Sequence, residues 1–286
     1  MSLNKVGGIL SAGLNGINYP VTVVEYLVVG GGGSGGSDKG GGGGGGGFLT
    51  GVGYSVTIGS SITVTIGAGG AAVQNSSAGT VGSNSVFGNV TALGGGAGAG
   101  EGSRNGGSGG SGGGACRDGS VGAGTAGQGY AGGAGGNYSP YSGGGGGGAG
   151  SVGNASYSNT SGLGGAGMIS VISGSPIQYA AGGGGGTYLG VGNYGGSANA
   201  GIGGSDLGSY PASLLGTTSG VANTGSGGGG GSNGGPGFSG TGGSGVVIIR
   251  YPSYLATAAS TTGSPETYIA GNWRVYKFFS SGTITF

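Results

Sequence analysis

Six carboxylates are the only ordinary acid–base groups this sequence offers: Glu25, Asp38, Glu101, Asp118, Asp206 and Glu266. There is no histidine, so the commonest general base and metal ligand is missing. Glycan cleavage needs two carboxylates set about 5–9.5 Å apart. Glu25 falls in an apolar, strand-like run and Glu266 in the C-terminal tail, while the other four read as solvated loop residues. No catalytic residue is therefore assigned, and the chain is expected not to be an enzyme. The single cysteine, Cys116, can form neither an intrachain disulfide nor a zinc site on its own. Beside Arg117, with no partner base, it reads as an incidental small residue. No metal site and no cofactor are expected. Gly-x-Gly-x-x-Gly recurs, but with 93 glycines in 286 residues it carries no information. Gly-Lys-Ser/Thr is absent, so a phosphate-binding P-loop fails.

Recognition is a better prospect than catalysis. The chain has 15 tyrosines, and a tyrosine ring gives a rigid apolar face with a polar tip at small entropic cost. Tyr130, Tyr138, Tyr141, Tyr157, Tyr179, Tyr188, Tyr194 and Tyr210 lie in the long stretch between strands. Asn137–Tyr141, Ser156–Ser161 and Thr187–Tyr194 are loop-like segments bounded by glycine. Tyr138, Tyr141, Tyr157, Tyr188 and Tyr194 are the candidate recognition residues, and other rings are expected to lie flat on the glycine layers. Lys5, Lys39, Arg104, Arg117, Arg250, Arg274 and Lys277 are too scattered for a nucleic-acid stripe, and the net charge is only +1. No apolar run approaches the ~18 residues of a membrane span. The start, Met1–Leu10, lacks a sustained apolar core, so a cleaved signal is not expected.

Rigid positioning of such loops falls to glycine. A third of the residues as glycine reads as linker unless the backbone itself supplies the stability, because glycine loses the most freedom on folding and buries no side chain. Collagen fails, since glycine is clustered rather than every third residue and there are 7 prolines. Silk-like alternation and repeated calcium-binding Gly-Gly-x-Gly-x-Asp units are absent. The remaining architecture is the polyglycine II helix: three residues per turn, ~3.1 Å rise, no internal hydrogen bonds, and N–H groups free to bond sideways. Gly40–Gly47, Gly143–Gly148, Gly182–Gly186 and Gly227–Gly231 are the predicted rods, the first spanning ~25 Å. The fold class is all-β/irregular: a polyglycine II bundle flanked by antiparallel strands, with almost no α-helix. Strands are expected at Val21–Val29, Ser55–Ile58 with Ile62–Ile66 as a hairpin, Met168–Ile172 and Val246–Tyr251. Trp273–Phe279 with Thr283–Phe286 is expected as a second hairpin. The organisation is residues 1–20 as an attachment segment, 21–251 as the glycine-rich domain, and 252–286 as a C-terminal β-hairpin tail.

Three segments carry a family resemblance: Val24-Glu-Tyr-Leu-Val-Val-Gly-Gly-Gly-Gly33, the Tyr54–Gly70 strand pair, and Ser244-Gly-Val-Val-Ile-Ile-Arg-Tyr251. They resemble the glycine-rich domain of tailed-phage virion proteins. The tail Trp273–Phe286 is similar to a strand pair that often precedes that domain, here placed after it. The glycine-run architecture is similar to the polyglycine II fibre-tip adhesins of T-even-like phages. The resemblance implies a virion protein made in the host cytoplasm: a receptor-binding protein at a tail-fibre or spike tip. Its partners would be the virion proteins of the shaft and a host surface glycan or outer-membrane protein, with no nucleic acid and no membrane insertion. The alternative is a non-adhesive structural virion protein, whether capsid-decorating, head-fibre or tail-fibre subunit.

Overall fold

The computed structural model describes residues 19–139, 141–190, 192–204, 216–233 and 238–286. Most of the expected attachment segment, together with Pro140, Asp206 and Tyr210, lies outside them. The described chain is all-β, with twelve strands and no helix. They are β1 (Val23–Val29), β2 (Phe48–Ser55), β3 (Ser61–Thr65), β4 (Ser85–Phe87), β5 (Val90–Ala92), β6 (Met168–Ser170), β7 (Ile177–Tyr179), β8 (Val246–Pro252), β9 (Ser260–Thr261), β10 (Glu266–Ala270), β11 (Trp273–Phe278) and β12 (Gly282–Thr285).

Two antiparallel five-stranded sheets face each other, in the orders β10-β11-β8-β1-β2 and β5-β4-β3-β12-β9. Alternation sorts the side chains of the first sheet. Val24 and Val28 of β1, Val247 and Ile249 of β8, and Phe278 of β11 meet Val64, Phe87, Ala92 and Ile284 of the second sheet. Leu27, Val29, Val246, Ile248 and Val275 point the other way, onto Ile172, Ile177 and Tyr179 around the β6–β7 hairpin. Both faces of β1 and β8 are therefore covered, which is why both strands read as nearly unbroken apolar runs. Each fully buried Val, Leu, Ile or Phe contributes about 1.5–3 kcal/mol, so this sandwich is an ordinary side-chain core.

Two expected hairpins are not formed. Ser55–Ile58 and Ile62–Ile66 do not pair: β2 pairs with β1 in the first sheet, while β3 pairs with β12 and β4 in the second. The connecting turn rounds the corner of the sandwich, with the Val56 N–H on Thr22 O and the Gly59 N–H on Phe286 O. Likewise Trp273–Phe279 and Thr283–Phe286 part company. β11 pairs with β10 through the Gly271-Asn272 turn and with β8, whereas β12 crosses to the second sheet. The 252–286 segment does hold a hairpin, β10–β11, and it pairs within its own chain.

Beyond the sandwich the chain becomes a lattice of glycine rods. The N–H groups of Gly40, Gly43 and Gly46 donate to Gly231, Gly228 and Gly225. Those of Gly41, Gly44 and Gly47 donate to Ala99, Gly96 and Leu93, and those of Gly42 and Gly45 to Gly144 and Gly147. The carbonyls accept from three further segments: Gly40 and Gly43 from Gly186 and Gly183, Gly42 and Gly45 from Gly114 and Ser111, and Gly41, Gly44 and Gly47 from Gly36, Gly33 and Gly30. Partners thus recur every third residue, and one rod has six neighbours. That is the signature of a polyglycine II helix in hexagonal packing, where each buried N–H finds an acceptor. Gly143–Gly148 is held in the same way by segments around 180–186, 112–115, 151–154, 162–165, 42–45 and 130–133. Gly182–Gly186 and Gly227–Gly231 also sit inside the lattice. So does 30–37, which no unbroken glycine run announces because Ser34 and Ser37 interrupt it. Both serines are buried and turn their hydroxyls to neighbours: Ser34 Oγ accepts from the Thr80 N–H at 2.8 Å and Ser37 Oγ donates to Ser77 O at 3.2 Å.

The close spacing explains the glycines. A Cβ on Gly44 would overlap the carbonyl of Ser111, one on Gly43 that of Gly33, and one on Gly42 that of Gly183. From Gly40 to Gly46 the rod is closed by backbone rather than by a flexible side chain; only Gly47 first meets a side chain, that of Gln128.

Candidate functional site

Strand β1 runs into rod 30–37, the chain turns at Asp38-Lys39, and rod 40–47 returns into β2. The Asp38-Lys39 turn is therefore carried roughly 25 Å from the sandwich, eight residues at ~3.1 Å each. Other turns gather at this end. Glu101 N–H reaches Ser37 O, Cys116 N–H reaches Arg104 O, Tyr188 N–H reaches Tyr141 O, and Ser156 N–H reaches Ala134 O. We call this end the tip.

Apart from Lys5 and Asp206, outside the described residues, every charge lies at one end or the other. Glu25, Arg250, Glu266, Arg274 and Lys277 are on the strands. Asp38, Lys39, Glu101, Arg104, Arg117 and Asp118 meet at the tip. Lys39 Nζ is 2.9 Å from Asp38 Oδ1 and 3.8 Å from Glu101 Oε2. Arg104 bridges Glu101 (3.1 Å) and Asp118 (2.8 Å), and Arg117 also pairs with Glu101. Glu101 thus serves three cations. The Arg104 hydrogen bond holds the Asp118 carboxyl below its ordinary range, and the same contact raises Arg104. Cys116 is buried with Sγ 3.7 Å from Glu101 Oε2, and burial pushes its thiol up to about 12. A thiol so far from ionisation is a poor nucleophile.

The tyrosines divide. Tyr141 and Tyr188 brace the network: the Arg117 guanidinium lies 4.0 Å from the Tyr141 ring centroid, and Lys39 Nζ 5.4 Å from that of Tyr188. Tyr138 and Tyr157 are free, 87% and 85% exposed. Their loops are stitched together by Gly136 N–H on Ser142 O, Ser156 Oγ on Ser142 O, and Ser142 Oγ on Ser158 O. Tyr194 is on the flank of the bundle and 63% exposed. The structure thus brings Tyr138, Tyr141, Tyr157 and Tyr188 to one end, with Tyr194 to the side. Tyr130 lies in a groove with Phe48 and Met168 at the sandwich end, and Tyr179 is in the core.

No sequence motif announces the ion network, because its members come from three distant turns. Several turns at this end have unusual backbones: Asp38, Lys39, Asn75, Ser76, Arg117 and Ser158 all have φ between 51° and 62°. This left-handed region costs a side-chain-bearing residue roughly 1–2 kcal/mol. It is tolerated where the surroundings fix the turn, often at functional sites. Here Ser76 Oγ donates to Asp38 Oδ2 at 2.8 Å, tying two such turns together.

This is a rigid, all-β, glycine-lattice module with a polar tip. The chain belongs to the glycine-rich domain family, whose model matches residues 14–252. No curated protein and no solved structure matches it.

Proposed function

We propose that this protein is a receptor-binding adhesin of a tailed-phage virion. The sandwich end seats it on a fibre or spike, and the tip meets the host surface without chemistry. The observation that carries the reading is the separation of roles along the rods. A side-chain core occupies one end, a lattice of backbone bonds occupies the middle, and turns with exposed tyrosines occupy the other. Binding loops on a rigid scaffold have this form, and aromatic rings are the usual anchors of such loops.

The test is adsorption. Tyr141 is occupied with Arg117, so the informative pair is the two free rings. Tyr138→Ala with Tyr157→Ala is expected to leave folding and virion assembly intact and to weaken host adsorption roughly thirtyfold, about 2 kcal/mol. Because the charges at the tip among the described residues are paired, adsorption is also expected to vary little with salt. Wild-type adsorption by the double variant, with labelled protein imaged over the capsid rather than at a fibre tip, would hand the case to a structural virion subunit.

A further inference from the structure

We infer that the flank pocket beside Tyr194 binds a single neutral sugar residue of a polysaccharide. The pocket has a volume of about 320 Å³ and is formed by Tyr194, Ser197, Ala200, Ile202, Thr218 and Ser219 with their neighbours. That volume stands at the small end of ligand pockets, which run about 300–1,000 Å³. Its walls come from two separate segments pinned to one another. Thr218 N–H donates to Ile202 O, and Ile202 N–H to Thr218 Oγ1 at 2.7 Å.

Three hydroxyls line it, and all are used in one sense. Ser197 Oγ accepts from Asn199 N–H at 3.1 Å, Thr218 Oγ1 from Ile202 N–H, and Ser219 Oγ from Thr241 N–H at 3.1 Å. A hydroxyl has one hydrogen to donate, and none of these three donates to another group among the described residues. The backbone thus fixes each oxygen, and among the described residues each O–H is left for a ligand. Tyr194 adds an exposed ring whose face suits the C–H side of a pyranose and whose own O–H is a fourth polar contact. Buried Ala200 and half-buried Ile202 supply an apolar floor. No lining residue is charged, so the pocket has nothing to neutralise an acidic sugar or a phosphate. Several hydroxyl donors around one aromatic face match a neutral, oxygen-rich ring better than they match a peptide.

The pocket's purpose rests on the adhesin reading, but the binding is measured on soluble protein alone. The full chain is passed over immobilised oligomers of glucose, galactose, mannose and N-acetylglucosamine, with polyglucuronate as the charged comparison. Retention is expected on at least one neutral oligomer. Tyr194→Ala is expected to weaken it about tenfold or more, as loss of an anchoring ring does, while Tyr194→Phe keeps most of it. Ser219→Ala, at an exposed position, is expected to weaken it with only a small loss of melting temperature from the Thr241 N–H it frees. Retention on no neutral oligomer, retention on polyglucuronate only, or equal retention by Tyr194→Ala overturns the site, whatever adsorption does. Tyr194-dependent retention by a protein that fails to adsorb to host cells upholds the site and removes the adhesin reading instead.

Discussion

The sandwich and the glycine lattice solve the same problem with opposite means. In the sandwich, Phe87, Ile284, Ile249 and their neighbours are removed from water, and the backbone bonds follow strand pairing. In the lattice almost nothing apolar is buried. Its order rests on the three-residue repeat of backbone bonds, which links an interior rod such as Gly40–Gly47 to six others. A neutral hydrogen bond contributes only about 0.5–1.5 kcal/mol net, whereas a buried group left unpaired costs about 1–3 kcal/mol. The lattice therefore gains modestly from each bond and loses heavily from each break. It should be intolerant of any added atom, while the sandwich should be intolerant of any removed one.

The largest expected effect comes from Gly44→Val. Its side chain would strike the Ser111 backbone and disturb the bonds Gly44 N–H to Gly96 O, Gly33 N–H to Gly44 O and Ser111 N–H to Gly45 O. Three bonds at about 1–3 kcal/mol each place the loss at roughly 3–9 kcal/mol. In the sandwich, Phe87→Ala leaves a cavity costing about 3–5 kcal/mol. Both are compared by equilibrium unfolding with Val81→Ala, at an exposed site. A Gly44→Val protein as stable as the Val81→Ala control would break the contrast.

This contrast also explains what could be read along the chain. Strands and rods were visible, because alternation and glycine runs are local patterns. Strand partners were not. Residues 55–66 alternate as a hairpin would, yet the core takes apolar residues from both sheets, so Val64 faces it equally well from the second. Rod 30–37 was hidden by two serines that spend their hydroxyls inside the lattice. Of the site, the tyrosine loops were legible from their glycine borders. The ion network and the flank pocket were not, since each joins turns or rods far apart in sequence. One weak signal existed: the tip charges all fall in short breaks between glycine stretches, where rods end.

Between the two large effects and solvent lies the tip, where Glu101→Gln sharpens the comparison. The side chain is only 20% exposed and holds three cations. Its neutralisation is expected to cost about 1–2 kcal/mol, between an exposed and a buried pair. If the lattice is as self-contained as its bonding indicates, amide exchange will quicken at residues 38–39, 101–104 and 116–118 and stay slow in Gly40–Gly47. Faster exchange throughout that rod would mean the tip ties hold the lattice together.

The smallest expected effect is a pH dependence from Asp118. Arg104 donates to it at 2.8 Å, which holds its folded pKa below the unfolded value. A depressed carboxylate stabilises the fold above the unfolded pKa, near 4, and that contribution is lost as pH falls through the folded value. Both groups are open to water, so screening keeps the contribution small. Wild type is expected to lose slightly more melting temperature than Asp118→Asn between pH 6 and pH 3, with the difference shrinking in high salt. Above pH 6 the two curves should run parallel, because this carboxylate is then fully ionised in both the folded and the unfolded chain. The rods themselves carry no titrating group, so neither curve should show a lattice transition in that window. An abrupt acid transition shared equally by wild type and Asp118→Asn would place the pH-sensitive element away from the Arg104–Asp118 pair.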